Sequence, residues 1–355
     1  MPTDIHNPCR TLAPRTLDRY LSEGWRPTGQ SLYRCHYLRT DEEELHGCVQ
    51  LRLPLEGFGF GKHQRKLLRR NARRFTSSIQ RATYPDSEKL DLHDRYLASR
   101  RDESRPSMGY HVETAQGERF LDTHEVRVYD RESEELVAFS FFDLGQDSMY
   151  SKVGIFDPRL KSFSLGYYTM LLEIEYALDR GVRLYYPGYF SPSYPKFDYK
   201  LRLGEMEFYD IGSQPARWRA LDPAVAIDER VTNPYQLCLD KLLTLRDRLP
   251  ALRVMEYANF TARYREKTPG RQFLDGAVVG VLNTLDEGTT VIVYNVDRGR
   301  YQQLRCYDSG LYDMRARPYG HQGRRRLNYV FQYGEPAFEE ADVDRFAEAL
   351  LDLVV

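Results

Sequence analysis

The sequence contains no apolar run approaching the roughly 18 residues a membrane helix requires. Met1 to Arg19 lacks the apolar stretch of a secretory signal. Cysteine is sparse: five residues in 355 (Cys9, Cys35, Cys48, Cys238 and Cys306), an odd set that argues against a disulfide framework and fits a reducing compartment. Net charge is almost absent, with 51 Lys/Arg against 52 Asp/Glu, so chain-wide attraction to nucleic acid or a membrane surface is not expected. There is no internal repeat. What remains is 41% hydrophobic and 29% charged, which suits a folded, soluble, cytoplasmic protein of about two domains.

The charge balance hides an asymmetry. Residues 1–120 hold 21 Lys/Arg against 16 Asp/Glu, and residues 121–355 hold 30 against 36. Tyrosine is frequent at 27, and nine of these lie between Tyr150 and Tyr199. An aromatic ring with a polar tip suits a half-wet core or a pocket that stacks a base.

Three regions follow along the chain. Residues 1–55 read as loop and short strand, contain three of the cysteines and an acidic run (Asp41 to Glu44), and form a small N-terminal subdomain. Residues 56–212 read as the main unit. It opens with a basic helix, KHQRKLLRRNARR (Lys62 to Arg74), and a second helix over Asp86 to Arg101. Three strand-like runs, HEVRVYD, ELVAFSFFD and MYSKVGIFD, are spaced as hairpins and predict an antiparallel meander. Ser164 then reads as the N-cap of a helix with Tyr167, Leu171, Ile174 and Leu178 at helical spacing, stopped by Gly181 and followed by a buried strand, VRLYYPGY. Strand, helix, strand at that spacing is a crossover, so the last strand should lie parallel to the third. Residues 213–355 read as a C-terminal α+β addition, with helices at Tyr235–Leu249 and Phe338–Leu353 and strands at Ala277–Leu282 and Thr290–Val296.

Helix, helix, meander, helix, parallel strand is the core order of the GNAT acyltransferase fold, so the expected class is α/β (α+β) with a GNAT-like acyltransferase core. A helix N-terminus at Ser164 would offer an anion site. The preceding loop, DPRLKSFSLG, lacks the Gly-x-Gly spacing with which acetyltransferases of that fold bind coenzyme A, so no cofactor is expected.

Four stretches carry a closer resemblance: LSEGWRPTGQSLYR (Leu21–Arg34), HQRKLLRRN (His63–Asn71), Phe156–Tyr189, and YPKFDYKLRLGEMEF (Tyr194–Phe208). In this order they resemble the aminoacyl-tRNA–protein transferases, the arginyl- and leucyltransferases of the N-degron pathway. The resemblance implies transfer of Arg or Leu from a charged tRNA to a protein's N-terminal α-amine, marking that protein for degradation. It implies aminoacyl-tRNA and proteins with acidic N-terminal residues as partners, and no membrane. Arg65, Lys66, Arg69, Arg70 and Arg73 on the basic helix would then meet tRNA phosphates. Tyr189 and Glu175 are the expected catalytic residues, with Glu175 preferred to Glu173, which lies about 200° away on the helix. Ser164, Gly166, Lys196, Tyr199 and Lys200 would bind substrate, the two lysines reading an acidic acceptor side chain.

The cysteines depart from the family pattern of paired cysteines. Cys9 stands alone, and Cys35, His36, His46 and Cys48 have zinc-like chemistry but not a finger's spacing, so no metal is expected. GFGFGKH (Gly57–His63) is not a phosphate loop, because Glu56 and His63 stand where Gly and Ser/Thr are needed. Arg324-Arg325-Arg326 is too short a run to decide anything. Two rival readings remain: an acyl-coenzyme-A N-acetyltransferase of the same fold, and a non-catalytic relative that binds tRNA or degrons.

Overall fold

The structure is a computed structural model that describes residues 4–40, 44–99, 107–222, 231–260, 271–285, 288–312, 318–320 and 323–354. Most of the acidic run (41–43) and the expected end of the second helix (100–101) lie outside the described residues. Among those described, no helix is long and apolar enough to cross a membrane.

The N-terminal part has two small sheets. Strands β1 (Asp4–His6), β2 (Arg26–Thr28) and β3 (Ser31–Arg34) pair in the order β1-β3-β2, while β4 (Tyr37–Arg39) and β5 (Leu45–Gly47) pair with each other. Helix α1 (Pro14–Ser22), started by a proline whose missing N–H costs nothing at that position, buries Leu17 and Leu21.

The central sheet is built from β6 (Val49–Pro54), β7 (Phe75–Arg81), β8 (Thr123–Asp130), β9 (Leu136–Leu144), β10 (Ser148–Phe156), β11 (Leu184–Phe190), β12 (Glu207–Asp210) and β13 (Arg217–Ala220). Their spatial order is β13-β12-β6-β11-β10-β9-β8-β7. The β8-β9-β10 meander is antiparallel, and β11 returns parallel to β10. This is the GNAT-like order expected from the sequence. Helix α2 spans Lys62–Arg74 and α3 spans Ser87–Ala98, capped by the Asp86 carboxylate accepting from the Lys89 N–H at 3.1 Å. Helix α4 (Leu165–Asp179) makes the crossover between β10 and β11. Four strands of this sheet, β6, β7, β12 and β13, escaped the sequence reading, and β6 and β13 carry the sheet beyond the expected bounds of 56–212 on both sides. β7 continues directly from the basic helix, and β6 lies inside the sheet against β11, burying Val49, Leu51 and Leu53.

The C-terminal part holds helix α5 (Pro234–Arg248), strands β14 (Arg253–Tyr257), β15 (Gln272–Phe273), β16 (Val278–Leu285), β17 (Gly288–Asn295), β18 (Arg300–Tyr312), β19 (Arg326–Leu327), β20 (Tyr329–Tyr333) and β21 (Phe338–Glu340), and helix α6 (Val343–Val354). Phe338 to Glu340, expected to begin a helix, instead pairs with β18. The helix starts later because the Asp342 carboxylate accepts from the N–H groups of Asp344 and Arg345, both at 3.0 Å. This part shares a core with the β4–β5 pair: Tyr37 and Leu45 pack with Leu239 and Leu242, and the Tyr37 hydroxyl lies 3.0 Å from the Cys238 sulfur.

Candidate active site

The site originates in a break between two parallel strands. β10 and β11 pair at Ser148–Leu184, Met149–Tyr185 and Tyr150–Tyr186, and the parallel pairing ends there. Pro187 has no N–H to offer, and Gly188 takes a left-handed φ of 87° where the pairing of β11 with β6 on its other side shifts register between Tyr185 and Gly188. Beyond the break the strands diverge around a cavity of about 880 Å³. One wall is Ser151, Val153, Gly154 and Phe156 of β10, with Ser140 of β9 beside them; another is Gly166, Thr169 and Met170 of α4. Such a crevice at the C-terminal ends of neighbouring strands is where open α/β sheets hold ligands.

Ser164 sits at the mouth in the left-handed region (φ 51°) and makes no side-chain capping bond. The first-turn N–H groups of α4 therefore begin at the cavity with the positive end of the helix dipole. Gly166 is held against Phe156, where an added Cβ would come within 3.1 Å of the ring.

Helix α2 closes another side with His63, Gln64 and Leu67. Gln64 fixes it there, donating to the carbonyl oxygens of Arg202 and Leu203 at 3.0 and 2.9 Å, while its own carbonyl accepts from the Gly61 N–H at 2.7 Å. With the apolar side anchored, Arg65, Lys66, Arg69, Arg70 and Arg73 are all exposed. Arg70 is partly committed, donating to the Ser162 carbonyl at 3.2 Å and stacking over Phe163.

The two lysines expected to read an acceptor differ. Lys196 is exposed and lies over the Tyr194 ring, outside the cavity lining. Lys200 is buried, lines the cavity with Tyr199, and donates to the Tyr189 carbonyl at 2.7 Å. Burial, reinforced by the neighbouring Arg26, pulls its pKa down to about 7. Arg26 from β2 is buried too, and its guanidinium lies on the Tyr189 ring at 5.1 Å, the same distance as Lys200 Nζ. It donates to the Cys35 carbonyl and lies 3.7 Å from the Cys48 sulfur. Burial pushes the Cys48 thiol up to about 11, so it stays neutral near pH 7. Among the described residues, neither buried cation has a carboxylate partner. Tyr189 is absent from the cavity lining; burial raises its pKa, keeping the hydroxyl protonated.

The carboxylate assignment needs correction. Glu175 is exposed and lies outside the cavity lining. Glu173, on the opposite face of α4, is fully buried and accepts from the Ser140 hydroxyl at 2.5 Å and the Tyr185 hydroxyl at 2.7 Å. Burial lifts its pKa to about 7, against the opposing pull of these hydrogen bonds. The helical spacing was right but the apolar face was misjudged: α4 is buried over most of its circumference, which turns Glu173 inward. Lys152 was also missed. It lines the cavity, and its Nζ donates to the carbonyls of Gly29 and His111 at 2.7 and 2.9 Å and to Asp143 at 3.1 Å. A lysine in an otherwise apolar strand and a glutamate in LLEIEY were the available signals.

The weak metal candidates do not converge. Cys9 is exposed, Cys35 and Cys48 flank the Arg26 cation, and His46 stacks on Tyr194 with Nδ1 3.1 Å from the Ser193 hydroxyl. Burial drives His36 down to about 4 beside Asp297. Among the described residues, no group of three or more His, Cys, Asp or Glu is arranged to hold a metal.

A family model described as "Arginine-tRNA-protein transferase, C terminus" matches residues 88–210, from α3 to β12. An aspartate/glutamate leucyltransferase from Acinetobacter baumannii is 28% identical over 224 residues, covering 60% of this chain and 75% of that protein. One from Ruegeria pomeroyi is 28% identical over 220 residues, covering 61% and 76%. Among solved structures, a tandem GNAT protein from the clavulanic acid biosynthesis pathway overlaps 62% of this chain and 63% of its own at 13% identity, with a TM-score of 0.33.

Proposed function

Because this chain belongs to the aminoacyl-tRNA–protein transferase family, we propose that it transfers leucine from leucyl-tRNA to the α-amine of proteins beginning with Asp or Glu, marking them for degradation. The observation that carries this reading is the charge of the cavity. Lys152, Lys161, Lys200 and Arg202 line it together with the apolar Leu67, Val153, Phe156 and Met170, and no carboxylate lines it among the described residues. A donor arginine would bring a further cation into a space lined by lysine and arginine, whereas a leucine side chain meets apolar wall. The names of the curated relatives point the same way for donor and acceptor alike.

The acceptor's acidic side chain would meet Lys200, with Arg26 behind it, and supply the counter-charge that these buried cations lack. Its α-amine, with a pKa near 8, needs only a modest base. The amine nitrogen attacks the ester carbonyl carbon, an N–C bond forms, and the bond to the tRNA 3′ oxygen breaks. Ser140 and Glu173 form a relay that takes the amine proton and returns it to the departing 3′ oxygen. The α4 N–H groups after Ser164 stabilise the tetrahedral oxyanion. The exposed cations of α2 hold the tRNA backbone.

The test is donor competition. With an Asp-starting peptide and tRNAs charged with labelled leucine or arginine, leucine should appear on the peptide and arginine should not. Arginine transfer alone would reverse the donor assignment, and no transfer from either would remove the enzymatic reading.

A further inference from the structure

The Arg324-Arg325-Arg326 run divides in the fold. Arg326 is buried, and its Nε donates to Glu256 Oε2 at 2.7 Å, while Glu256 Oε1 accepts from the Tyr235 hydroxyl at 2.7 Å. This interior pair locks β19 in parallel register beside β14, with Glu256 opposite Arg326. Arg324 and Arg325 instead reach a surface concavity of about 330 Å³, where Arg246 from the end of α5 and Arg253 from the start of β14 join them. Leu243, Val254 and Met255 complete its lining.

Four arginines from three separate segments thus line one hollow. Among the described residues, no carboxylate lines it. Asp247 lies 3.8 Å from Arg246, but both side chains are largely exposed and the pair neutralises little. Arg324 makes a 3.4 Å contact with the Tyr235 hydroxyl, which orients the side chain without removing its charge. Like charges gathered without an acid repel one another, and an anion relieves that repulsion. Guanidinium forks match phosphate oxygens in pairs. No aromatic ring lines the hollow among the described residues, so it offers no stacking platform for a base. A site with phosphate-matching cations and no stacking surface suits nucleic-acid backbone better than a nucleotide.

We infer that the C-terminal addition carries a second tRNA contact, in which Arg246, Arg253, Arg324 and Arg325 hold backbone phosphates away from the reacting 3′ end. This rests on the reading of the protein as a user of aminoacyl-tRNA. It gives residues 213–355, which lie wholly beyond the matched family region, a role in substrate affinity with none in chemistry.

The test uses the full-length chain with Arg246, Arg253 and Arg325 changed to Ala, sparing Arg324 and Arg326 for their internal bonds. Binding of tRNA is measured across about 50 to 200 mM salt. Each lost phosphate contact should flatten the slope of log affinity against log salt by about 0.7–0.9, so the triple variant should lose about two units of slope. It should bind about tenfold more weakly at low salt and keep its transfer rate at saturating tRNA. A parallel triple change to Lys should retain most of the affinity if the partner is phosphate and the fold is intact. Unchanged affinity and slope, in a wild-type protein that binds tRNA with clear salt dependence, would overturn the inference. So would loss of inorganic phosphate binding with tRNA affinity untouched, which would mark a small-anion site. Failure of the wild-type protein to bind tRNA at all would instead sink the functional reading, and this inference with it.

Discussion

Ser140, a buried residue of the cavity lining, donates its hydroxyl at 2.5 Å to Glu173, a fully buried carboxyl that is absent from that lining. The pair joins a cavity-lining serine to a carboxyl whose pKa burial lifts to about 7. Changing Glu173 to Gln should lower kcat by about 10²- to 10⁴-fold and leave KM for both substrates nearly unchanged. An equal loss in binding would mean that Glu173 only shapes the cavity.

The same substitution has a pH signature in stability. The folded pKa of about 7 lies above the ordinary 4.5, so the native state holds the proton more tightly than the unfolded chain. The resulting stabilisation is complete below about 4.5 and is lost as pH rises through 7. Relative to the Gln variant, the wild-type protein should therefore lose ground between those values. Denaturant melts at a series of pH values would check this, and parallel curves would contradict it.

Lys200 predicts a pH-dependent KM. With its pKa lowered to about 7, the free enzyme carries a positive charge there mainly below neutrality. KM for Asp- and Glu-starting peptides should rise as pH increases beyond 7, while tRNA affinity stays flat. Changing Lys200 to Arg should remove that dependence, because guanidinium does not deprotonate in this range. Changing it to Met should raise the peptide KM mainly below pH 7, with the gap to the wild type narrowing as pH rises. If Lys196→Ala has the larger effect, the buried lysine is not the reader.

The exposed face of α2 should act through salt-sensitive affinity alone. Replacing Lys66, Arg69 and Arg73 with Ala should weaken binding evenly across tRNA sequences and flatten its salt dependence. Selective loss for one tRNA would point to base readout instead.

Away from the cavity, Lys89 and Glu125 form an ion pair of 2.6 Å with both side chains fully buried. Arg127 also donates to Glu125 at 2.9 Å, so the carboxylate keeps a cationic partner without Lys89, whereas Lys89 without Glu125 keeps, among the described residues, only its bonds to Thr83. Glu125→Leu therefore strands the lysine and should destabilise the fold by about 3–5 kcal/mol in denaturant melts. A much smaller loss would mean that water or rearrangement relieves the stranded ammonium.

The meander, the crossover helix and the parallel return strand were legible because alternation, helical spacing and the Gly181 stop all agreed. The basic helix was legible to the residue, since Lys62 to Arg74 is both highly charged and rich in helix formers. The place of β6 was not legible: a short alternating strand carries no information about which neighbour it pairs with, and its partner β11 is more than 130 residues away. In the site, Ser164 and Gly166 were legible from the start of the crossover helix and Tyr199 and Lys200 from the resemblance, and all four line one cavity. Glu173 and Arg26 escaped, because burial of a charged side chain depends on tertiary packing that local pattern does not encode. Lys196 and Lys200 look alike in sequence; only the turn of the segment after Pro195 makes one exposed and the other buried.

The central claim is aminoacyl transfer to acidic N-termini. The most direct measurement is incorporation of labelled leucine from leucyl-tRNA into four otherwise identical peptides that begin with Asp, Glu, Ala or Nα-acetylated Asp. The account predicts leucine on the Asp and Glu peptides, little on Ala and none on the acetylated peptide. Equal labelling of Asp, Glu and Ala, or labelling of the acetylated peptide, would contradict it.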